Sequence, residues 1–377
     1  MSRHNIPIGR ILGIPIGLDY SWFVVLAVMT WTLGTGYYPA EFKNWPSFLY
    51  WLMGALTALL LFASVLLHEL GHSVVALRFG IPVKSITLYM IGGVAQIGSE
   101  PPSATAEFLV AVAGPLVSLV LAAIFHLLQP LVSTVEPLAG LAKYLAYMNF
   151  ALALLNMIPG YPLDGGRVFR AALWAGTGDL RRATRIAATA GRIFGFMFIM
   201  IGVLQMFGGN LVGGLWIAFI GWFLEMAATG QLAQTVLQDL LKGRSVAQAM
   251  SNRGATISAD LTLQALVDEH ILGDGQHERC FLVDQQGKTT GLMTLQRLKE
   301  VPRSRWAGTR VGEVMLALDR SVRVEASTGL WDALQKMDRS GVNQVPVTQG
   351  DRVVGMLKRE DVISFLRTLQ ELEAKPA

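Results

Sequence analysis

Two histidines four positions apart flank a glutamate in His68-Glu69-Leu70-Gly71-His72, an H-E-x-x-H pattern. On a helix, positions i and i+4 share a face, so both imidazoles can grip one metal ion with the carboxylate beside it as a base. Zn2+ suits such donors, and the chemistry they support is hydrolysis by an activated water. The pattern sits inside an apolar run, residues 49–72, that is long enough to cross a bilayer. Ionisable groups are costly in lipid, so three of them within five positions point to function. Polar residues that snorkel or pair along one helix turn would be the plain structural alternative.

A second chemistry-bearing segment follows a later apolar run: Asn156-Met157-Ile158-Pro159-Gly160-Tyr161-Pro162-Leu163-Asp164-Gly165-Gly166-Arg167. Pro159 and Pro162 break the helix, and Gly165-Gly166 is expected to form a tight turn that aims the Asp164 carboxylate at the metal. Asp164 is therefore the candidate third ligand.

These residues must be positioned by membrane spans. Residues 1–241 carry 12 Lys/Arg and 10 Asp/Glu, against 19 and 17 in the rest of the 377-residue chain. The charged share thus rises from about 9% to about 26%, a change from lipid-facing to water-facing chain. Spans are read at 20–38, 49–72, 105–129, 141–158, 193–208 and 211–229. Met1–Asp19 reads as short and mixed, without a cleavable signal, so insertion is expected to rest on the spans. Arg3, Arg10, Arg78, Lys84, Arg167, Arg170, Arg181, Arg182, Arg185 and Arg192 fall on one side, and only Lys43 and Lys143 on the other. That asymmetry puts both termini and the charged C-terminal part in the cytosol; the expected location is a prokaryotic-type cell membrane.

The second and fourth spans both run inward, which brings His68, His72 and Asp164 to a similar depth near the cytosol. His126 ends an outward-running span, some 30 Å from that face, and is read as interfacial. Glu107 reads as a solvated helix-start charge, and Glu225 as a polar contact away from the metal. Gly114-Pro115 is expected to give a kink or close helix packing. Residues 82–98 read as two short strands around a Gly92-Gly93 turn. Non-helical backbone at membrane depth must be buried or line a wet cavity, and an open edge there could pair with an unwound substrate helix.

With both segments in view, the chain resembles the site-2 protease family of intramembrane zinc metalloproteases. The likeness rests on His68-Glu69-Leu70-Gly71-His72 and on Asn156-x-x-Pro159-x-x-Pro162-Leu163-Asp164-Gly165, and covers about residues 5 to 230. It implies that His68, His72 and Asp164 bind one Zn2+, that Glu69 is the catalytic carboxylate, and that Asn156 orients substrate or polarises its carbonyl. The implied substrates are transmembrane proteins cut within or near their membrane segments, with membrane lipid as the surrounding partner.

From Ser245 onward the chain repeats loosely with a period near 65 residues. Val246-Ala247-Gln248-Ala249-Met250 matches Val311-Gly312-Glu313-Val314-Met315, and Gly291-Leu292-Met293 matches Gly355-Met356-Leu357. Each unit reads as helix, two strands, helix, the first strand of the first unit being Arg279 to Asp284. This resembles a tandem CBS-domain pair, a module that often binds adenine nucleotides and self-associates, so a homodimer through these domains is one implied arrangement. Thr294 and Asp361 are the nucleotide candidates. Each site departs from the family pattern, with Arg297 in place of an Asp in one and Lys358 in place of a hydroxyl in the other.

The expected fold is thus a membrane α-helical bundle of about six transmembrane helices with a small membrane-associated β-hairpin or sheet, plus a cytosolic α/β tandem CBS module. The expected divisions are 1–241, 242–306 and 307–377. The modest net charge of +4, without a basic run, gives no reason to invoke nucleic acid. Cys280 is the only cysteine, which excludes intrachain disulfides and cysteine-built zinc sites. A CBS-regulated channel or transporter would spread polar residues along several spans, whereas these concentrate at one depth. An inactive, chaperone-like relative would not need all four of His68, Glu69, His72 and Asp164.

Overall fold

A computed structural model describes residues 5–90, 92–98, 100–251, 254–273, 280–318, 321–350 and 352–373. Arg3, Ile91 and Arg279, used in the readings above, lie outside the described residues. The chain forms two compact units, Met1–Thr235 and Val236–Ala377.

In the first unit, β1 (Asn5–Ile11) and β2 (Ile14–Asp19) precede α1 (Tyr20–Thr32). A π-helical turn, Leu33–Tyr37, joins α1 to α2 (Tyr38–Glu41). Then come α3 (Ser47–Arg78), β3 (Val83–Tyr89), β4 (Gly92–Ile97), α4 (Ala104–Leu131), α5 (Glu136–Asn156), α6 (Asp164–Thr177), α7 (Leu180–Phe207) and α8 (Leu211–Leu241). Five of these, α3, α4, α5, α7 and α8, are long and apolar enough to cross a membrane. The first expected span, 20–38, is instead divided among α1, the π turn and α2, where Gly34 lies against the Trp51 ring.

Polarity in this unit is inverted relative to a water-soluble protein. Phe23, Trp31, Leu127, Phe196, Leu204, Phe207, Val212 and Trp216 face outward, while Thr57, Ser64, His68, His72, Glu107, Ser118, Asn149 and Arg170 are buried. A surface this apolar suits hydrocarbon, where helix contacts rest on packing and internal hydrogen bonds. Tyr38, Phe42, Trp45 and Tyr50 stack near the start of α3, and the Trp45 indole donates to Glu136 at 2.8 Å.

The small sheet exceeds the expected hairpin: its order is β1-β2-β3-β4. β1 and β2 are antiparallel around Leu12-Gly13, both with positive φ, a two-residue hairpin link. β2 runs parallel to β3, and β3 antiparallel to β4, leaving β4 at one edge. Gly92 and Gly93 are paired strand residues, opposite Tyr89 and Leu88, rather than the turn itself. The strand pairing therefore begins at Gly92, and the turn lies before it, at Met90 among the described residues.

The second unit contains α9 (Val246–Ala249), β5 (Thr256–Ser258), α10 (Leu263–Ala265), β6 (Cys280–Gln285), β7 (Lys288–Thr294), α11 (Leu295–Glu300), α12 (Val311–Val314), β8 (Leu316–Ala317), β9 (Val324–Glu325), α13 (Leu330–Ser340), β10 (Gln344–Gln349), β11 (Arg352–Lys358) and α14 (Arg359–Glu373). Its sheets run β5-β6-β7-β8 and β11-β10-β9. The antiparallel pairs β6–β7 and β10–β11 shift register at matching places, Val283/Asp284 and Val347/Thr348, so the sequence repeat is a structural one. Each half has its own apolar core, one around Leu263, Phe281 and Met293, the other around Leu330, Val347 and Leu357.

Candidate metal centre

α3 and α4 pack together, and α4 also packs on α5 and α6. His68 and His72 lie one turn apart near the end of α3, both about 4% exposed. Asp164 is the first residue of α6, where a carboxylate is favoured by the helix dipole. Its Oδ2 is 3.2 Å from His68 Nε2 and 3.1 Å from His72 Nε2, and the two Nε2 atoms are 3.2 Å apart. The helix break at Pro159 and Pro162 delivers Asp164 as expected. Gly165-Gly166, by contrast, is the first turn of α6 and not a loop turn; both glycines are buried against the backbone of Met157 to Tyr161, a space no side chain could share.

The imidazoles are held from behind. His72 Nδ1 is 2.6 Å from the Val110 carbonyl, which can only accept, so Nδ1 carries the proton and Nε2 a lone pair. His68 Nδ1 is 2.8 Å from the Ser118 hydroxyl, which is fully buried. Such partners fix tautomer and ring orientation in metal sites. A Cβ built on Gly114 would collide with Nε2 of both histidines, so α4 leaves the space at these nitrogens open. A kink or close helix packing was the expectation at Gly114-Pro115; the close approach at Gly114 is to the two Nε2 atoms.

Two ring nitrogens and a carboxylate oxygen converging within 3.2 Å form a cluster that a shared cation would hold together. Ligands about 2.0–2.1 Å from a tetrahedral zinc stand roughly 3.3 Å apart, which the observed spacings approach. These are the three residues whose donor atoms could hold a metal among the described residues. The donor set of two imidazoles and one carboxylate leaves a fourth position, the pattern of catalytic rather than structural zinc.

Glu69 projects toward the sheet. Its carboxylate accepts from the backbone of Ala95 in β4, and Gly93 lies so close that a Cβ there would collide with the Glu69 side chain. Asn156 ends α5 with its amide donating to the Leu152 carbonyl at 3.0 Å, so it is turned onto its own helix. His126 is exposed and Glu225 contacts Arg192 and Thr229, both apart from the cluster, as expected.

Glu107 departs from expectation. It is fully buried and ion-paired with Arg170 rather than solvated, because α6 brings a guanidinium to it from 63 residues away. Val110, Gly114 and Ser118 also went unread as site residues. A small or hydroxyl residue at positions 114 and 118, one turn apart in an apolar helix, was the available signal; a backbone carbonyl leaves none. In the second unit, Thr294 caps α11 by accepting from Arg297 N at 3.3 Å, and Asp361 accepts from Lys358 N at 3.1 Å. Both nucleotide candidates are thus engaged in local helix-start contacts.

The family model for Peptidase family M50 matches residues 56–143 and 129–202, and that for the CBS domain matches 311–368. The chain is 37% identical over 378 residues to "Putative zinc metalloprotease Rip3" of Mycobacterium tuberculosis, covering 99% of this chain and 96% of that one. It is 26% identical to "Zinc metalloprotease MJ0392" of Methanocaldococcus jannaschii, covering 99% and 98%. The solved site-2 protease from Methanocaldococcus jannaschii matches at TM-score 0.44 and 28% identity, over 61% of this chain and 95% of that one. The chain belongs to the M50 peptidases, the site-2 protease family of zinc metalloproteases, and carries a CBS domain in its second unit.

Proposed function

We propose that this metalloprotease hydrolyses peptide bonds within or beside transmembrane segments of other proteins, with His68, His72 and Asp164 as the zinc ligands and Glu69 as the catalytic base. The observation that carries the reading is the convergence of two oriented Nε2 atoms and one carboxylate oxygen at 3.1–3.2 Å. A zinc ion held there would act as a Lewis acid on the scissile carbonyl and on the attacking water. Glu69 takes a proton from that water and returns it to the leaving amine nitrogen. Asn156, once its amide turns from Leu152, donates to the carbonyl oxygen as negative charge develops.

A peptide must be extended to be cut, and a transmembrane helix is not. β4 is an edge strand whose Ala95 backbone already touches Glu69, so a substrate strand laid along it would come to the base. The asymmetry of Lys and Arg between the two sides supports six crossings with both termini and the CBS pair in the cytosol. The reading keeps 1–241, 242–306 and 307–377 as the functional divisions, with the CBS pair as regulator and dimer contact. An adenine nucleotide at Thr294 or Asp361 would have to displace a helix-start hydrogen bond.

Glu69→Gln is the decisive variant. Reconstituted with a single-span substrate, it is expected to retain zinc by atomic emission and to lose roughly a thousandfold in cleavage rate. His68→Ala and Asp164→Ala should lose zinc as well. Cleavage by Glu69→Gln at the unmodified rate would overturn the assignment of the base.

A further inference from the structure

Glu107, Val110, Gly114 and Ser118 follow one another at spacings of three, four and four, so they form a single stripe along α4. Three members address the histidines of α3: a carbonyl to His72, an open space to both rings, a hydroxyl to His68. The fourth, Glu107, addresses α6. Its Oε1 takes both Nε and a terminal nitrogen of Arg170, and its Oε2 has no partner among the described residues. Glu107 is 0% and Arg170 8% exposed, so each charge depends on the other.

Arg170 is tied down beyond this pair. It reaches the Thr184 hydroxyl of α7 at 3.5 Å and lies over the Tyr161 ring at 5.2 Å. Tyr161 belongs to the loop that ends at Asp164, and its backbone N–H donates to Ala187 of α7 at 3.2 Å. Arg170 stands six residues beyond Asp164, about 9 Å along the same helix axis. Thus α4 fixes the imidazoles directly, and it reaches the carboxylate ligand only through α6, where the Glu107–Arg170 pair is the charged link.

We propose that the Glu107–Arg170 ion pair is a positioning element of the metal centre: it sets the register of α6 on α4 and so holds the Asp164 carboxylate at the two imidazoles. This rests on the zinc reading above. Neither residue touches the reacting atoms. Losing the pair lets α6 shift, and a ligand displaced by a fraction of an ångström binds poorly.

The test uses the full-length protein in detergent, with zinc affinity measured by competition against a chromophoric chelator. X-ray absorption at the zinc edge reports the ligand set. Arg170→Gln is expected to weaken zinc binding by about 10–100-fold, the range seen when groups behind metal ligands are removed, with loss of the carboxylate oxygen from the spectrum. Arg170→Lys should recover most of that loss, since both guanidinium contacts go to one oxygen that a point charge can also serve. Leu145→Ala, in the apolar core around Tyr38 and Leu61, serves as the control that lowers stability without addressing α6.

Zinc affinity within twofold of the unmodified protein in Arg170→Gln overturns the proposal. So does a loss that Leu145→Ala reproduces at equal melting temperature. Should Arg170→Gln fail to fold, Glu107→Gln, which keeps an acceptor for Arg170, carries the same comparison: weakened zinc binding supports the proposal and unchanged binding overturns it. Unmodified protein that takes up no zinc overturns the metal reading itself, whereas the variant ratios bear on the ion pair alone.

Discussion

His72 donates Nδ1–H to the Val110 carbonyl, which leaves Nε2 as the only lone pair that its ring can offer. The orientation is therefore built before any metal arrives, and Gly114 keeps the approach open. Gly114→Ala places a methyl group against both Nε2 atoms. Zinc affinity is expected to fall more than about tenfold, with cleavage falling alongside it while helix content is retained. Metal analysis together with circular dichroism checks both halves of that statement. His68, Glu69, His72 and Asp164 were legible as candidates because their side-chain types could support the proposed chemistry and the His-Glu-His spacing is local; the fold then gathers His68, His72 and Asp164. Val110 was not legible: any residue type supplies a carbonyl, and only the folded helix pair aims it.

At the scale of elements, β4 joins α3, which carries His68, Glu69 and His72, to the edge where substrate is proposed to pair. Proline removes a backbone donor and is tolerated on edge strands. A proline scan of residues 94–97 is therefore expected to lower cleavage at least tenfold at Ala95, with about one zinc per chain retained. Unchanged cleavage across the whole scan would remove strand pairing from the mechanism. The β3–β4 hairpin was readable from its alternation, but its turn was misplaced because Gly-Gly reads locally as a turn. Here Gly93 serves a contact with Glu69, 24 residues earlier in the chain. The N-terminal hairpin of β1 and β2 was not legible: residues 1–19 read only as short and mixed, and its link puts a leucine, Leu12, at positive φ, which residue type does not signal. α6 was obscured by its two opening glycines, which are poor helix formers tolerated for close packing.

Across the molecule, the division into an apolar and a charged part was plain from composition, and the repeat of the second part from its paired motifs. Glu107 shows where such reading stops. An acidic residue at a helix start is usually solvated, and the cation that makes its burial tolerable lies on another helix. The inverted polarity of the first unit carries a kinetic consequence. With the apolar residues of α1, α4, α7 and α8 turned outward, the enzyme and the membrane-embedded substrate proposed for it would dissolve in the same thin hydrocarbon sheet and meet in two dimensions. Diluting vesicles with buffer at fixed protein-to-lipid ratio should leave the cleavage rate per enzyme unchanged. Adding lipid at fixed protein should slow it in proportion to the fall in surface density, a dependence that quenched time courses in vesicles of graded lipid content would measure.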